Sequence, residues 1–445
     1  MKRLIENFFK LKELNTNIRT EIIAGLTTFM TMAYIIFVNP IMISQTGMDF
    51  GSAMMATCIS AAVATIMMGL YTNYPIALAA GMGENAFFTY TVCITMGISW
   101  QVALGCVFIE GLIFVILTLL KIRQAIIEAI PSPIRYATAC GIGMLIAFVG
   151  LVDAGLITGH PATFVTLGDI SNPVTLLSIF GLVVTSILII KKVKGAILWG
   201  ILFTAILGIP LGIVKYQGLI SLPPSMAPTF LKLDIKGALN LGLLSIIFIF
   251  LFMDIFDTVG TLAGVAELGG FMKEGSLPRA GRAMFTDAVG TCVGAICGTP
   301  TVTSYIESAA GIASGGRSGL TAVITGLMFL AALFFSPLVK MVGGGYQTTK
   351  GFLLHPVTAP ALIIIGCMML QMITKIDWQD YSESIPAFIV IIMMPLTFSI
   401  ATGIAMGFIS YTALKLFTGK AKEVSWLVYL LAILFILRFI YLKLI

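Results

Sequence analysis

Long apolar stretches separated by short polar loops make up most of this chain. A transmembrane helix needs about 20 apolar residues, and fourteen stretches meet or approach that length. They predict spans at Ile22–Ile43, Ala53–Tyr71, Ile76–Met96, Val102–Leu120, Ala137–Ile157, Val174–Ile190, Ala196–Val214, Leu239–Ala266, Met284–Cys297, Gly298–Gly319, Leu320–Val339, Pro356–Ile373, Ile385–Ser399 and Thr402–Phe417. Trp426–Leu437 is short and is followed by Arg438, which favours an interfacial helix over a fifteenth span. The predicted fold class is an all-α polytopic membrane protein.

Two of these spans are too broken to be continuous lipid-facing helices. Gly298–Gly319 is full of Thr, Ser and Gly and carries Pro300 and Glu307, while Gly81–Thr91 interrupts the third span. Irregular backbone at membrane depth is tolerated only against protein or water. Thr and Val around Pro300 favour an extended start, and Glu307–Ala313 favours a short helix. The tenth span is therefore predicted to be half strand and half helix, with a carboxylate near mid-membrane as in transporter binding sites.

The chain also shows an internal repeat. Pro133–Ala137 before the fifth span matches His355–Ala359 before the twelfth, and the broken third span corresponds to the broken tenth. Seven spans in each half would invert the second half relative to the first, and paired broken spans in inverted halves indicate a transporter's binding site. The predicted units are a cytoplasmic amphipathic segment (1–21), a first repeat (22–214), a second repeat (239–418) and a C-terminal interfacial helix (424–445).

Basic residues indicate the orientation. They cluster before the first span and after even-numbered spans, so the positive-inside rule places both termini in the cytoplasm. The expected location is the inner (plasma) membrane. The basic residues are Lys2, Arg3, Lys10, Lys12, Arg19, Lys121, Arg123, Arg135, Lys191, Lys192, Lys194, Lys273, Arg279, Arg282, Lys415, Lys420 and Lys422.

Composition excludes other classes of protein. Of 445 residues, 58% are hydrophobic and only 10% are charged, which excludes a soluble globular or a disordered chain. The net charge is +6, and the basic residues sit in short loops. This placement favours a bias of these loops toward the cytoplasm over nucleic-acid binding. The seven cysteines are in apolar segments without metal-ligand spacing. No metal, cofactor or signal peptide is expected, and no nucleophile–base arrangement of an enzyme is visible.

Acids within the spans are the main candidates for function. Asp254 and Asp257 are three residues apart in the eighth span, so they share one helix face. Each costs about 2.5–3.5 kcal/mol at the bilayer centre, which favours a functional role over a structural network. Two nearby carboxylates also favour binding and release of a proton.

The broken spans supply the other candidates. Asn85 offers a donor and an acceptor beside Phe87, whose alternative role is helix packing. Glu307, flanked by hydroxyl residues including Ser308, suits a neutral ligand rich in N–H donors. Other polar residues could serve helix packing through hydrogen bonds as well as function. Asp287 is favoured as a tie between the broken segments, and Arg317 as an anchor on the cytoplasmic side. The ambiguous set is Asn39, Glu110, Asp153 and Asp287.

The motifs resemble those of AzgA-type purine permeases, a branch of nucleobase–cation symporter family two. The resemblance covers essentially the whole chain in order. It is carried by EIIAGLTTFMTMAYIIFVNP (Glu21–Pro40), GMGENAFF (Gly81–Phe88), DIFDTVGTLAG (Asp254–Gly264) and DAVGT…GTPTVTSYIESAAGIASGGRSGLTAV (Asp287–Val323). It implies the uracil-transporter fold, with spans 3 and 10 as strand–helix hybrids, a core of spans 1–4 and 8–11, and a gate of spans 5–7 and 12–14.

The resemblance also implies site roles. Asp257 occupies the eighth-span position of the acid that binds the base, Glu307 that of the acid that accepts a purine N–H, and Asn85 that of a third-span polar contact. Thr261 stands where the wider family has a histidine, so a proton route through histidine is excluded and Asp254 becomes a coupling candidate beside Asp257 and Glu307.

The function expected from these implications is import of a purine nucleobase (hypoxanthine or guanine, with adenine open) by alternating access, with H⁺ as the symported ion and Na⁺ as the alternative. The partners are therefore the purine, the cation and the lipid bilayer, with monomer or homodimer left open. An anion exchanger of the same fold is disfavoured, because it would want a positively charged pocket.

Overall fold

The computed structural model describes residues 2–120, 131–272, 277–348 and 353–441. Its α-helices are α1 (Lys2–Phe8), α2 (Ile18–Met32), α3 (Ile35–Ser44), α4 (Phe50–Met67), α5 (Met82–Ala86), α6 (Trp100–Leu119), α7 (Ser132–Asp153), α8 (Pro173–Ile190), α9 (Ala196–Gly208), α10 (Ile235–Ala238), α11 (Leu244–Leu268), α12 (Ala280–Cys297), α13 (Ser308–Ala313), α14 (Gly319–Ala332), α15 (Ser336–Gly343), α16 (Ala359–Met369), α17 (Tyr381–Thr397), α18 (Ile400–Phe417) and α19 (Trp426–Tyr441). The strands are β1 (Leu78–Ala80), β2 (Ile157–His160), β3 (Phe164–Leu167), β4 (Val302–Ser304), β5 (Tyr346–Gln347) and β6 (Leu353–Leu354). Lys121, Arg123 and Lys273, used above for orientation, lie outside the described residues.

Apolar helices dominate the fold, as predicted for a polytopic membrane protein. In the described part, eight helical segments are long and apolar enough to cross a membrane by length and composition. Four shorter apolar helices, Ala196–Gly208, Ala359–Lys375, Tyr381–Thr397 and Trp426–Leu437, accompany them. The arrangement as fourteen spans stays a prediction.

Several helices begin at side-chain caps. Asn17, Asp49, Asn172 and Asp380 each accept a backbone N–H of the following first turn, which satisfies donors that have no partner within the helix. At Asp49, the hydrogen bond from the backbone N–H of Ser52 holds the pKa of the carboxyl below its ordinary value, against the opposing effect of burial.

The first predicted span is divided in two. α2 ends at Met32 and α3 begins at Ile35, so Ala33 and Tyr34 form a break that the apolar pattern did not predict. Inside α3, Pro40 has no N–H to donate to the preceding turn. Tyr34 at this break becomes part of the candidate site.

Both broken spans contain a strand followed by a short helix. β1 and β4 pair antiparallel, with Leu78 opposite Ser304 and Ala80 opposite Val302. The ladder continues to Gly81, whose N–H donates to the carbonyl of Thr301 at 2.9 Å. A Cβ at Gly81 would meet the side chains of Glu84 and Thr303, so glycine lets the backbone approach them closely. α5 and α13 follow the two strands.

The helices pack as two groups. α2, α4, α6, α11, α12, α13 and α14 pack together around the β1–β4 pair, whereas α7, α8, α9, α16, α17 and α18 pack with one another. α5 contacts both α11 and α7, so the broken spans lie where the groups meet.

Candidate functional site

Glu307 precedes α13 and is held at one of its two carboxylate oxygens. Tyr34 donates its hydroxyl hydrogen to Glu307 Oε1 at 2.6 Å, and Thr31 Oγ1 donates to the backbone carbonyl of Glu307 at 3.4 Å. Among the described residues, no group donates to Oε2. The break between α2 and α3 thus orients Glu307 and leaves one oxygen available.

Asp257, on α11, lies deep within the protein and yet its side chain is exposed, so it lines a cavity. One of its acidic neighbours is Glu307. No described N–H or O–H donates to its carboxylate. The two acids that the family resemblance implied as purine contacts therefore face one cavity.

Exposure along the helices shows where this cavity opens. Gly260, one turn beyond Asp257, is exposed, and Ile306 beside Glu307 is 52% exposed. In the other direction along α11, Met253 and Phe250 are buried. Exposure therefore continues from Asp257 toward the C-terminal end of α11, which is the cytoplasmic side in the predicted orientation.

Asn85 is on α5, which packs against α11, and Phe87 directly follows α5. Asn85 is completely buried, and neither its Oδ1 nor its Nδ2 has a hydrogen-bond partner among the described residues. A buried amide without partners is costly and calls for an explanation. Phe87 packs edge-to-face on Phe250, with the ring centroids 4.8 Å apart. The ring is thus anchored against α11.

Ser308 is buried at the first position of α13. Its Oγ accepts the backbone N–H of Ala77 at 3.0 Å, which ties α13 to the residue before β1. This contact leaves the hydroxyl hydrogen of Ser308 to be donated elsewhere.

Asp254 faces a different set of residues from Asp257, although they share a helix. Asp254 is buried and accepts hydrogen bonds from Thr258 at 3.4 Å and Thr291 at 3.2 Å. Its acidic neighbours are Glu110, Asp287 and Glu84. Asp257 has Glu307 as a neighbour and also lies near Glu84 and Asp287. The pairing of Asp254 with Asp257 that their spacing suggested stays a prediction.

Asp287 joins α12 to α11 and to β4, which belongs to one of the two stretches predicted as broken spans. Thr258 donates to its Oδ2 at 2.7 Å, and Ser304 of β4 donates to its Oδ1 at 3.1 Å. Asn39 is likewise structural, since its amide donates to Thr57 and Thr299.

Glu21 is a fully buried acid on α2 whose role was not predicted from the sequence. Its carboxylate accepts five hydrogen bonds, from Thr16 Oγ1, the backbone N–H groups of Arg317 and Ser318, Ser318 Oγ and Thr321 Oγ1. It therefore joins α2 to the start of α14. The Arg317 side chain donates to the carbonyls of Ile312 and Gly316, each at 2.8 Å, and so fixes the end of α13.

Comparisons with known proteins show the family of the chain. Residues 19–406 match the model of a family described as "Permease family". The chain is 47% identical over 451 residues to the guanine/hypoxanthine permease PbuG of Bacillus subtilis (strain 168), covering 99% of this chain and 100% of that one. It is 43% identical over 439 residues to the adenine permease AdeP of Escherichia coli (strain K12), covering 98% and 96%. The resemblance to purine permeases is thereby confirmed.

A solved structure shows the same fold. The transmembrane domain of a cyanobacterium bicarbonate transporter, BicA, aligns with a TM-score of 0.62 at 14% identity, covering 86% of this chain and 96% of that one. At this identity the likeness shows the fold alone.

Proposed function

Because the chain belongs to the permease family, and is therefore a multi-pass membrane transporter and not an enzyme, we propose that it imports a purine nucleobase with a cation by alternating access. Hypoxanthine or guanine is the proposed substrate and adenine the alternative, since the two relatives are named for these bases. One observation carries the proposal: Asp257 and Glu307 line one cavity, and each has a carboxylate oxygen free to accept a hydrogen bond.

A neutral purine matches these groups because its ring N–H and exocyclic amino groups are donors, while carboxylates only accept. Asp257 and Glu307 accept from the base, and the unpartnered amide of Asn85 supplies one donor and one acceptor. Phe87 completes the pocket from behind, and Ser308 has a hydroxyl hydrogen to donate. An anion exchanger would need positive charge here, and acids line the cavity instead.

The architecture of the proposal is fourteen spans in two inverted repeats of seven, with the third and tenth as strand–helix hybrids. The antiparallel pairing of β1 with β4 supports inversion, since equivalent strands of the two halves run in opposite directions. The helix group that holds β1 and β4 is the proposed core, and the group of α7–α9 and α16–α18 is the gate. Movement of one group against the other would open the cavity alternately to each side.

The remaining parts of the proposal concern coupling and placement. H⁺ is the proposed coupling ion, with Asp254, Asp257 and Glu307 as carriers and Na⁺ as the alternative. The protein is placed in the inner membrane with both termini cytoplasmic and α19 at the interface. It acts as a monomer or a homodimer.

Uptake of radiolabelled hypoxanthine by cells expressing the Glu307→Gln variant tests the substrate site. The amide keeps the shape but replaces one acceptor oxygen by a donor, so high-affinity uptake should be lost while insertion into the membrane is normal. Glu13→Gln, the same change at a side chain 69% exposed, is the matched control and should transport like the wild type. Wild-type affinity in Glu307→Gln would reject the assignment.

Two further arms separate the function classes. An ionophore that collapses the proton gradient should abolish accumulation by a symporter, whereas product formation without accumulation would indicate an enzyme. Competition of hypoxanthine uptake by guanine, adenine and uracil ranks the bases, and equal competition by uracil would contradict purine selectivity.

A further inference from the structure

Glu110, on α6, is a buried acid that the proposed purine site does not use. It is completely buried, and neither of its carboxylate oxygens has a hydrogen-bond partner among the described N–H and O–H groups. Its carboxyl group nevertheless lies within hydrogen-bonding reach of that of Asp254, on α11. Two ionised carboxylates in contact repel each other strongly, so this contact requires a hydrogen between them.

A count of the available hydrogens supports this requirement. Thr258 has one hydroxyl hydrogen, and its contact with Asp287 (2.7 Å) is much shorter than its contact with Asp254 (3.4 Å). Thr291 also has one hydroxyl hydrogen. Its Oγ1 lies about as close to the carbonyl oxygen of Val302 (3.1 Å) as to the carboxylate of Asp254 (3.2 Å). Asp254 and Glu110 together are therefore short of donors.

The groups of the described residues that face the pair carry no positive charge. They are Asp287 and Cys292 on α12 and Glu84 on α5, and Asp287 also lies within hydrogen-bonding reach of Asp254. The ion pairs at Lys10–Glu13 and around Lys415 and Lys420 lie elsewhere. No three His, Cys, Asp or Glu side chains of the described part converge as metal ligands. These observations favour a proton as the cation that this cluster binds.

We infer that Glu110 and Asp254 share one proton and together form the binding site of the coupling ion. This inference rests on the proposed symport. It places the binding site of the coupling ion outside the purine cavity. Glu84 has both Asp257, at the cavity, and Glu110 as acidic neighbours, and no group in the described part of the chain bonds to its Oε2. The proton enters at Asp257, passes Glu84 and is held between the oxygens of Glu110 and Asp254. Release of the proton leaves two ionised carboxylates in contact, so the pair can accept a proton again.

Proteoliposomes containing Glu110→Gln test the inference. With the lumen one pH unit more alkaline than the outside and the membrane potential clamped at zero, coupling to one proton gives about tenfold purine accumulation at equilibrium. The wild type should reach this ratio, whereas Glu110→Gln should only equalise labelled purine across the membrane. Counterflow exchange should persist in the variant, because the purine contacts are intact.

Asp153→Asn is the matched control. Asp153 is a half-buried acid at the end of α7, away from the cluster, and its variant should accumulate purine like the wild type. Tenfold accumulation by Glu110→Gln would overturn the inference. Accumulation that follows a Na⁺ gradient and ignores pH would also overturn it. Absence of counterflow in the wild type would reject the purine proposal itself and the inference with it.

An infrared measurement on the wild type keeps the inference testable if Glu110→Gln fails to insert. A shared proton requires the carbonyl stretch of a protonated carboxyl group at neutral pH. A spectrum without that band would overturn the inference.

Discussion

Replacement of Glu21 by Gln tests the junction between α2 and α14. Oε1 accepts from Thr16 (2.8 Å) and the N–H of Arg317 (2.9 Å). Oε2 accepts from the N–H and hydroxyl of Ser318 (3.2 and 2.7 Å) and from Thr321 (2.6 Å). In Gln one oxygen becomes an NH₂ group. The hydroxyl groups can rotate to accept from it, but a backbone N–H cannot.

The cost of the change follows from this geometry. Whichever way the amide is turned, the N–H of Arg317 or of Ser318 loses its acceptor, and a buried unsatisfied donor costs about 1–3 kcal/mol. The bonds that remain lose the ionised acceptor that makes them roughly twice as strong as neutral ones. Together these losses should lower the free energy of unfolding by about 3 kcal/mol.

Unfolding of the purified protein by SDS in mixed micelles, followed by circular dichroism, measures this difference. The control is Glu13→Gln, which changes an exposed side chain and should shift the free energy of unfolding by less than about 0.5 kcal/mol. Glu21→Ala should cost more than Glu21→Gln, because all five donors lose their acceptor. An unfolding midpoint for Glu21→Gln equal to that of the wild type would refute the reasoning.

Two more predictions concern Tyr34 and His355. Tyr34→Phe removes the 2.6 Å hydrogen bond to Glu307, and loss of a bond to a charged group, worth about 1.5–3 kcal/mol, should weaken purine affinity at least about tenfold. Binding of labelled purine to purified protein measures this, and unchanged affinity would show that Tyr34 does not position Glu307. Burial lowers the pKa of His355 to about 4, against a hydrogen bond to the carbonyl of Gly343. The unfolded chain therefore binds more protons, so stability should fall by about 3 kcal/mol as the pH decreases from 6.5 to 4. Thermal unfolding at pH 7.5, 6 and 5 should show a smaller acid-side loss in His355→Gln, and an equal loss would contradict this assignment.

Much of the fold follows from local sequence. Apolar length predicts the long helices, and Pro300 with its Thr and Val neighbours predicts an extended segment before α13. The break at Ala33–Tyr34 and the β2–β3 hairpin were not predicted. The break lies inside an apolar run, and the hairpin carries no alternation of apolar and polar residues strong enough to indicate strands.

The site was harder to predict, because its partners are far apart in the chain. Tyr34 and Glu307 are separated by 273 positions, and a tyrosine in an apolar helix resembles a packing residue. The available signal was its hydroxyl, which needs a partner when buried. Glu110 gave the same kind of signal as Asp254, an acid in an apolar span, but only the packing of α6 against α11 shows that the two meet.

The β1–β4 pair has a consequence for biosynthesis. Ala77 meets Ser308, a residue that follows it by 231 positions. At about 5–20 residues per second, the ribosome completes β4 roughly ten to fifty seconds after β1. Until then the first half carries an unpaired strand edge beside Glu84 and Asn85 at membrane depth, where lipid offers no substitute partner. The nascent chain must keep this edge away from lipid until the second half is made, so neither half can form the β1–β4 pair alone.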